Sequence, residues 1–403
     1  MKKLLIINVT VNSGSTGRIA EEIGQTAINN GYETYFAYGR TARESKCKII
    51  KIGNGLNVNF HGVESMLFDN HGFSSRLATK KLIRKIERIK PDIINIHNLH
   101  GYYINVKILF KYLSKINIPV VWTFHDCWPF TGHCSHFIKH NCYKWKNECY
   151  SCPNIKGYPK SLLFDRSKKN YIKKKELFTK IDKLTIVSPS QWLSNFIDES
   201  FFKHKKINTI NNGIDTNIFK AIDNIKDIKT KLNINNEKVI IGVASVWTYS
   251  KGLDDFTKLN ELLPNNYKII LVGLNKKQIK ALPDGIIGVE RTESIIQLAE
   301  LYNIADVFVN PTYADNFPTT NIEALACGTP VITYKTGGSP EAIDEKTGIV
   351  VEQGNIYQLK EAIELVAKDK NRYTENCRER AVNLYNKQDR FNDYIKLFNS
   401  LTK

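Results

Sequence analysis

Short apolar runs alternate with amphipathic stretches along most of the chain. "KLLIINVT", "ETYFAYG", "PDIINIH" and "PVVWTFH" read as buried strands, and "SRLATKKLIRKIERIK" between them repeats its apolar residues at helical spacing. A second series begins near residue 237 with "KVIIGVAS", "YKIILVG", "ADVFVNP" and "PVITY", again with helices between. Such alternation predicts βαβ units around parallel sheets. Two series predict two α/β domains, residues 1–205 and 206–385, connected through "LTIVSPSQWLSNFI" and "KINTINNGIDTNIF". Ligands of parallel sheets bind at the carboxyl ends of the strands. The polar loops at 12–18, 97–101, 125 onward and 247–252 fall there, which predicts a central cleft between the domains.

Composition narrows the class. The 403 residues exceed one ordinary core, and 42% hydrophobic with 24% charged residues is a globular balance. Lys and Arg number 58 against 40 acids, a net charge of +18. That excess fits nucleic acid, an anionic membrane face, phosphate-rich small substrates, or lysines scattered over solvated faces. The opening "MKKLLIINVTVNSGSTGR" runs from its apolar stretch straight into a polar loop, so it reads as a first strand rather than a signal peptide. No run approaches the roughly 18 apolar residues needed to span a bilayer. Eight cysteines in a chain of this length do not suggest a secreted disulfide scaffold. A cytoplasmic enzyme is expected.

The stretch "DNFPTTNIEALACGTPVITY" carries the chemistry. Asp315 and Glu323 have seven residues between them, and a helix is predicted from about Thr319 to Gly328 with Pro318 in its first turn. The amides of Thr319, Thr320 and Asn321 then form an anion-binding helix start. Glu323 follows at a distance suited to a ribose diol, and Asp315 precedes the helix where it could touch a group beyond the phosphates. Acid, amides, acid is the order of sugar, pyrophosphate and nucleoside. The plain alternative is a helix cap and a surface acid.

This stretch resembles the acid-x7-acid motif of retaining glycosyltransferases with the GT-B fold, the family of sucrose and bacterial polysaccharide synthases. Other segments are similar to the family in the same order: "NSGSTGRIAEEIG", "SPSQWL", "NNGIDTNIF", "VASVWTYSKGLDDF", "LAELYNIADVFVNPTYADNFP" and "TGGSPEAI". "HDCWPFTGHC" is similar to transferases of capsule, colanic-acid-like and O-antigen assembly. The resemblance implies two Rossmann-like domains facing a cleft, with a C-terminal helix at 386–403 completing the first. It implies a hexosyltransferase-type enzyme moving sugar from a nucleotide diphosphate donor to a saccharide acceptor, lipid-linked, with retained configuration. Glu323 would hold the ribose, Asp315 the donor sugar or its phosphate, and Lys251 the leaving diphosphate. The sequence has no Asp-x-Asp to bridge a metal to the diphosphate, so no cofactor is expected for catalysis. Two departures stand out: Asp315 replaces the usual glutamate, and Val246 occupies a position that is usually arginine.

His97 and His125 each follow a predicted strand, and the resemblance puts one of them beside the reacting sugar and the other on the acceptor side. His100 is a weaker candidate. Gly14 and Gly17 lie between a strand and a helix without the full G-x-G-x-x-G fingerprint, which weakens a dinucleotide reading and leaves close approach to sugar or phosphate. Arg18 opens the following helix, either as an exposed arginine or as a donor-phosphate ligand that replaces the missing cation. Cys134, Cys142, Cys149 and Cys152, interleaved with His133, His136 and His140, end in a C-x2-C pair. A structural zinc, disulfides and plain thiols all fit the pattern. "DRSKKNYIKKKELFTK" could rest Tyr171, Ile172, Leu177 and Phe178 on an anionic membrane, or pack them inward. The rivals are a GT-B nucleotide-sugar epimerase and a basic nucleic-acid binder. The latter leaves the acid pair unexplained, so no nucleic-acid partner is expected.

Overall fold

The computed structural model describes residues 1–222 and 225–402. The chain divides into two compact units, 1–211 with 390–403, and 212–389.

The first unit holds a seven-stranded sheet. Its strands are β1 (Lys3–Asn8), β2 (Glu33–Tyr38), β3 (Lys48–Lys51), β4 (Ile93–Ile96), β5 (Val120–Thr123), β6 (Leu184–Ser188) and β7 (Lys206–Thr209), in the order β3-β2-β1-β4-β5-β6-β7. All pairs are parallel, with Ile6 beside Phe36 and Asn95, and Ile96 beside Trp122. β4 and β5 are buried at every residue, as strands covered on both faces must be. Phe391, Tyr394, Ile395 and Phe398 of the Lys387–Leu401 helix pack into this unit's core with Ile6 and Ile23.

The second unit holds six parallel strands: β8 (Lys238–Val243), β9 (Tyr267–Val272), β10 (Ile286–Val289), β11 (Val307–Asn310), β12 (Val331–Tyr334) and β13 (Gly348–Val351). Their order is β10-β9-β8-β11-β12-β13. β8, β11 and β12 are neighbours running the same way, so the loops that leave their carboxyl ends share one edge. The Thr319–Ala326 helix is buried beyond its first two residues. Arg378 fixes its far end by donating to the Ala326 carbonyl at 2.9 Å and to the carbonyls of Phe219 and Thr216 at 2.7 and 2.8 Å. That clamp sets where the helix start points.

The Ser167–Phe178 helix differs from its membrane reading. Tyr171, Leu177 and Phe178 are buried in the first unit's core and only Ile172 is exposed, because apolar residues in this basic helix gain more from the core than from the surface.

Candidate functional site

Three loops converge at the edge formed by β8, β11 and β12. After β8 the chain makes a single turn, Tyr249–Lys251, and ends it on Gly252 at φ +74°. A Cβ at Gly252 would lie 2.3 Å from the Pro311 carbonyl oxygen, so only glycine lets this turn press on the loop after β11. The Tyr313 amide closes the contact by donating to the Ser250 carbonyl at 2.9 Å. The result is an ion pair between Lys251 Nζ and Asp315 Oδ2 at 2.5 Å, with Asp315 Oδ1 accepting from the Asn316 amide at 2.9 Å. The third loop, after β12, touches the same place: a Cβ on Gly337 would lie 1.8 Å from the Asp315 carbonyl oxygen.

Pro318 stands immediately before the Thr319–Ala326 helix, one position earlier than expected, and no side chain caps the helix start. Thr319 and Thr320 are partly exposed there. Asn321 departs from the expectation, because its amide donates to the Pro318 carbonyl at 3.3 Å. Its side chain works as a strut instead. It accepts from Asn310 Nδ2 at 2.7 Å and donates to Ser339 Oγ at 3.0 Å, tying the helix to β11 and to the loop after β12. Glu323 is buried one turn on, and the Tyr302 hydroxyl donates to its Oε2 at 3.0 Å. Val246 is an exposed apolar residue.

Two groups here were missed in the sequence. Tyr302 orients Glu323 from the preceding helix, and "ELYNIADV" offers no sign that its tyrosine differs from a core residue. Asp255, in the first turn of the Leu253–Leu262 helix, is buried and accepts from the hydroxyls of Tyr313 at 2.8 Å and Tyr334 at 3.0 Å. This pins the loop after β11 to the end of β12.

The first unit presents its own polar cluster beyond β4 and β5. His97 is fully buried. Its Nε2 meets Asn95 Oδ1 at 2.9 Å and its Nδ1 meets His125 Nε2 at 2.9 Å, with the rings stacked. Both ring nitrogens of His97 are thereby engaged, and of the two rings only that of His125 is partly exposed. Burial holds His97 well below the usual histidine range and pushes His125 down to about 4, keeping the pair neutral at physiological pH. His100 pairs with Asp126 at 2.6 Å and meets the Tyr158 hydroxyl at 3.1 Å. Burial opposes ionisation of Asp126, yet His100 and the Trp128 amide hold its carboxyl down at about 2. Gly14 adopts φ +69° with no heavy atom of the described residues within 4 Å of a Cβ. Gly17 is explained internally, since a Cβ there would meet Thr10 Oγ1 at 2.6 Å. The helix after β1 begins at Gly14 and runs to Asn29, earlier than expected, so both glycines lie in its first turns rather than in a loop, and Arg18 is exposed within it instead of opening it.

Cys134, Cys142, Cys149 and Cys152 line one cavity of about 10 Å³, and all eight cysteines are free thiols. The Gly132 amide donates to Cys149 Sγ at 3.2 Å. His133 lines the same cavity. Its Nδ1 lies 2.6 Å from Asp69 Oδ1, and its buried Nε2 has no hydrogen-bond partner among the described residues. Among those residues no group of three or more His, Cys, Asp or Glu side chains is arranged to hold a metal ion as the structure stands. Lys174 anchors the loop from below. It is buried 3.5 Å from the Trp128 ring centroid and donates to the Trp128 and Thr131 carbonyls at 2.8 and 3.1 Å. Burial pushes it down to about 7.

The sequence matches two family models, Glycosyltransferase Family 4 over residues 16–218 and Glycosyl transferases group 1 over residues 224–383. It is 26% identical over 371 residues to the putative colanic acid biosynthesis glycosyl transferase WcaC of Escherichia coli K12, covering 88% of this chain and 89% of that protein. The fold is similar to sucrose-phosphate synthase from Thermosynechococcus elongatus, with a TM-score of 0.76 at 17% identity over 100% of this chain and 99% of that one. It is also similar to Anabaena HepE in complex with UDP-glucose, with a TM-score of 0.67 at 14% identity over 99% of this chain and 100% of that one. These relatives give the epimerase alternative no support.

Proposed function

The chain belongs to Glycosyltransferase Family 4, a GT-B family, and from that premise we propose that it transfers a hexose from a nucleoside diphosphate sugar to a lipid-linked saccharide. The product would be a bacterial surface polysaccharide of the capsule or O-antigen kind, a reading supported by the likeness to WcaC. The observation that carries the donor half is the convergence of Lys251, Asp315, an uncapped helix start and Glu323 on one edge of the second unit.

Each part has a physical task. Glu323, held by Tyr302, accepts hydrogen bonds from the ribose diol. The amides of Thr319 and Thr320, with the positive end of their helix, receive phosphate oxygens. Lys251 exchanges part of its contact with Asp315 for the diphosphate, whose charge grows as the glycosidic bond breaks. Fixed positive groups there lower the barrier without reorganisation. Asp315 then turns to a hydroxyl of the donor sugar. Transfer retains the anomeric configuration, the leaving phosphate taking the proton of the acceptor hydroxyl. Neutral His125, braced by His97, serves as a hydrogen-bond partner of substrate. The absence of an Asp-x-Asp sequence supports metal-independent catalysis. For the cysteine cavity we propose a structural zinc on Cys134, Cys142, Cys149 and Cys152, supported by the four thiols lining one small cavity, which must draw together to hold the ion.

Incubation of purified protein with UDP-, GDP- and ADP-sugars and polyprenyl-diphosphate saccharides tests this reading. Sugar addition to the lipid-linked acceptor is expected, with the donor's anomeric configuration kept in the new linkage by NMR. Release of free sugar without an acceptor, or an inverted linkage, would contradict it.

A further inference from the structure

One side of the first unit exposes apolar side chains that a solvated surface does not explain. The Gly55–Phe68 helix buries His61 and Ser65 on one face. On the other it presents Leu56, Phe60 and Val63, one turn apart, at 79%, 67% and 50% exposure. This is the reverse of an ordinary surface helix, which turns its apolar stripe inward. The stripe continues past the helix end. The Leu162 amide donates to the Met66 carbonyl at 2.7 Å, and Phe68 stacks on Phe164 with ring centroids 5.8 Å apart. Leu163, between those two contacts, is 65% exposed. At the other end Gly53 packs against Ala78, which brings in the Arg76–Ile89 helix with Leu77 exposed.

Positive charge borders this stripe on both sides. Lys80, Lys81, Arg84 and Arg88 are exposed at positions three, four, seven and eleven after Leu77 and so share its helical face, and the only carboxylate of that helix is Glu87. At the far end the Arg166 guanidinium lies 5.9 Å from the Phe68 ring and 5.8 Å from the Phe164 ring, with Lys168 and Lys169 exposed beyond it. Lys168 is paired with Glu148 at 3.1 Å, and Glu64 and Asp165 keep their charge while accepting from neutral donors, so the excess beside the stripe rests on Lys80, Lys81, Arg84, Arg88, Arg166 and Lys169.

We propose that this face docks on an anionic membrane surface, with Leu56, Phe60 and Leu163 entering the headgroup boundary. Charge complementarity selects the occupant. A nucleic-acid backbone would leave the apolar tips unpaired, whereas anionic lipid offers phosphate to the lysines and acyl chain to the leucines and phenylalanine. Each Lys or Arg near such a surface adds a modest attraction, so four or more beside several apolar side chains give reversible attachment. No described helix is long and apolar enough to cross the membrane, so the attachment is superficial. The inference complements the lipid-linked acceptor of the proposed function but does not depend on it, since vesicle binding is read without substrate.

The test is co-sedimentation of the full chain with vesicles of phosphatidylcholine alone or mixed with phosphatidylglycerol. Wild type is expected to bind the mixed vesicles and to bind phosphatidylcholine at least about tenfold more weakly. Phe60→Ser with Leu163→Ser, and separately Lys80→Glu with Lys81→Glu, should each weaken binding by about tenfold or more. Leu365→Ser, at an exposed leucine of the second unit, should leave it unchanged. Unaltered circular dichroism of each variant keeps misfolding from imitating the result. No binding to the mixed vesicles, or binding indifferent to both double substitutions, overturns the proposal. So does a soluble dimer that the Phe60→Ser and Leu163→Ser changes dissolve, which would make the occupant a second copy of the chain.

Discussion

Lys251 and Asp315 lie 64 positions apart in the chain and 2.5 Å apart in space, Nζ to Oδ2. The cation assigned to the leaving diphosphate is therefore already matched by a carboxylate, and a ligand must compete for it. Asp315→Asn should release the lysine, tightening the binding of free nucleoside diphosphate by several-fold while slowing transfer. Lys251→Ala should lower kcat/KM by a factor of ~100. Calorimetric binding beside steady-state kinetics checks both. An Asp315→Asn enzyme with weaker diphosphate binding would mean that the pair is a structural strut.

Tyr302 should matter through Glu323. Tyr302→Phe removes one donor to a buried carboxylate, an interaction of about 1.5–3 kcal/mol. Loss of donor affinity by about tenfold is expected, with kcat changed less than KM. Equal loss in thermal stability for the nucleotide-bound and free forms would show that the tyrosine only packs.

The sequence made the inner strands legible and the edges obscure. All eight apolar runs are strands, since a strand with neighbours on both sides and helices over both faces must be apolar throughout. The edge strands are obscure for two reasons: β3 "KIIK" and β7 "KINT" mix polar and apolar residues, while β10 "IIGV" and β13 "GIVV" are four-residue, partly exposed runs too short to stand out from loop. β6, "LTIVS", is fully buried although it lies in a stretch that reads as a connection between the two series. At the site, Asp315, Glu323 and Lys251 announced themselves by spacing and resemblance. Tyr302, Asp255 and the strut made by Asn321 did not, because their roles exist only once strands distant in sequence lie side by side. Lys174 is the sharpest case: nothing in "KKNYIKKKELF" separates the one lysine buried against Trp128 from its solvated neighbours.

Stability should fall as the medium turns mildly acidic. Burial lowers His61 and His125 to about 4 and holds His71 and His97 well below the usual range. In the unfolded chain all four titrate near 6.5, so between about pH 6.5 and about pH 4 the unfolded state binds more protons and stability rises with pH. For His61 alone the loss from about pH 7.5 to about pH 5 is on the order of 2 kcal/mol. Asp126 contributes with the same sign but at lower pH, its carboxyl held at about 2. Urea denaturation across this range checks the slope, and His61→Gln should flatten it.

Protein purified without added metal should carry about one zinc per chain, lost in Cys152→Ser. Brief EDTA treatment should leave sugar transfer intact, while prolonged chelation lowers thermal stability. A metal-free protein whose cavity thiols all react would reject the zinc. Activity lost at once in EDTA and restored by Mn²⁺ would reject metal-independent transfer.

The most direct measurement is thermal unfolding of wild type and Glu323→Ala with UDP, GDP, ADP and their sugars. A donor present at 100 times its dissociation constant adds about 2.7 kcal/mol to the folded state. One nucleotide series is expected to raise the wild-type Tm by several degrees, with the shift largely abolished in Glu323→Ala. No stabilisation by any nucleotide sugar, or a shift that persists unchanged in Glu323→Ala, would contradict the assignment of this edge as the donor site.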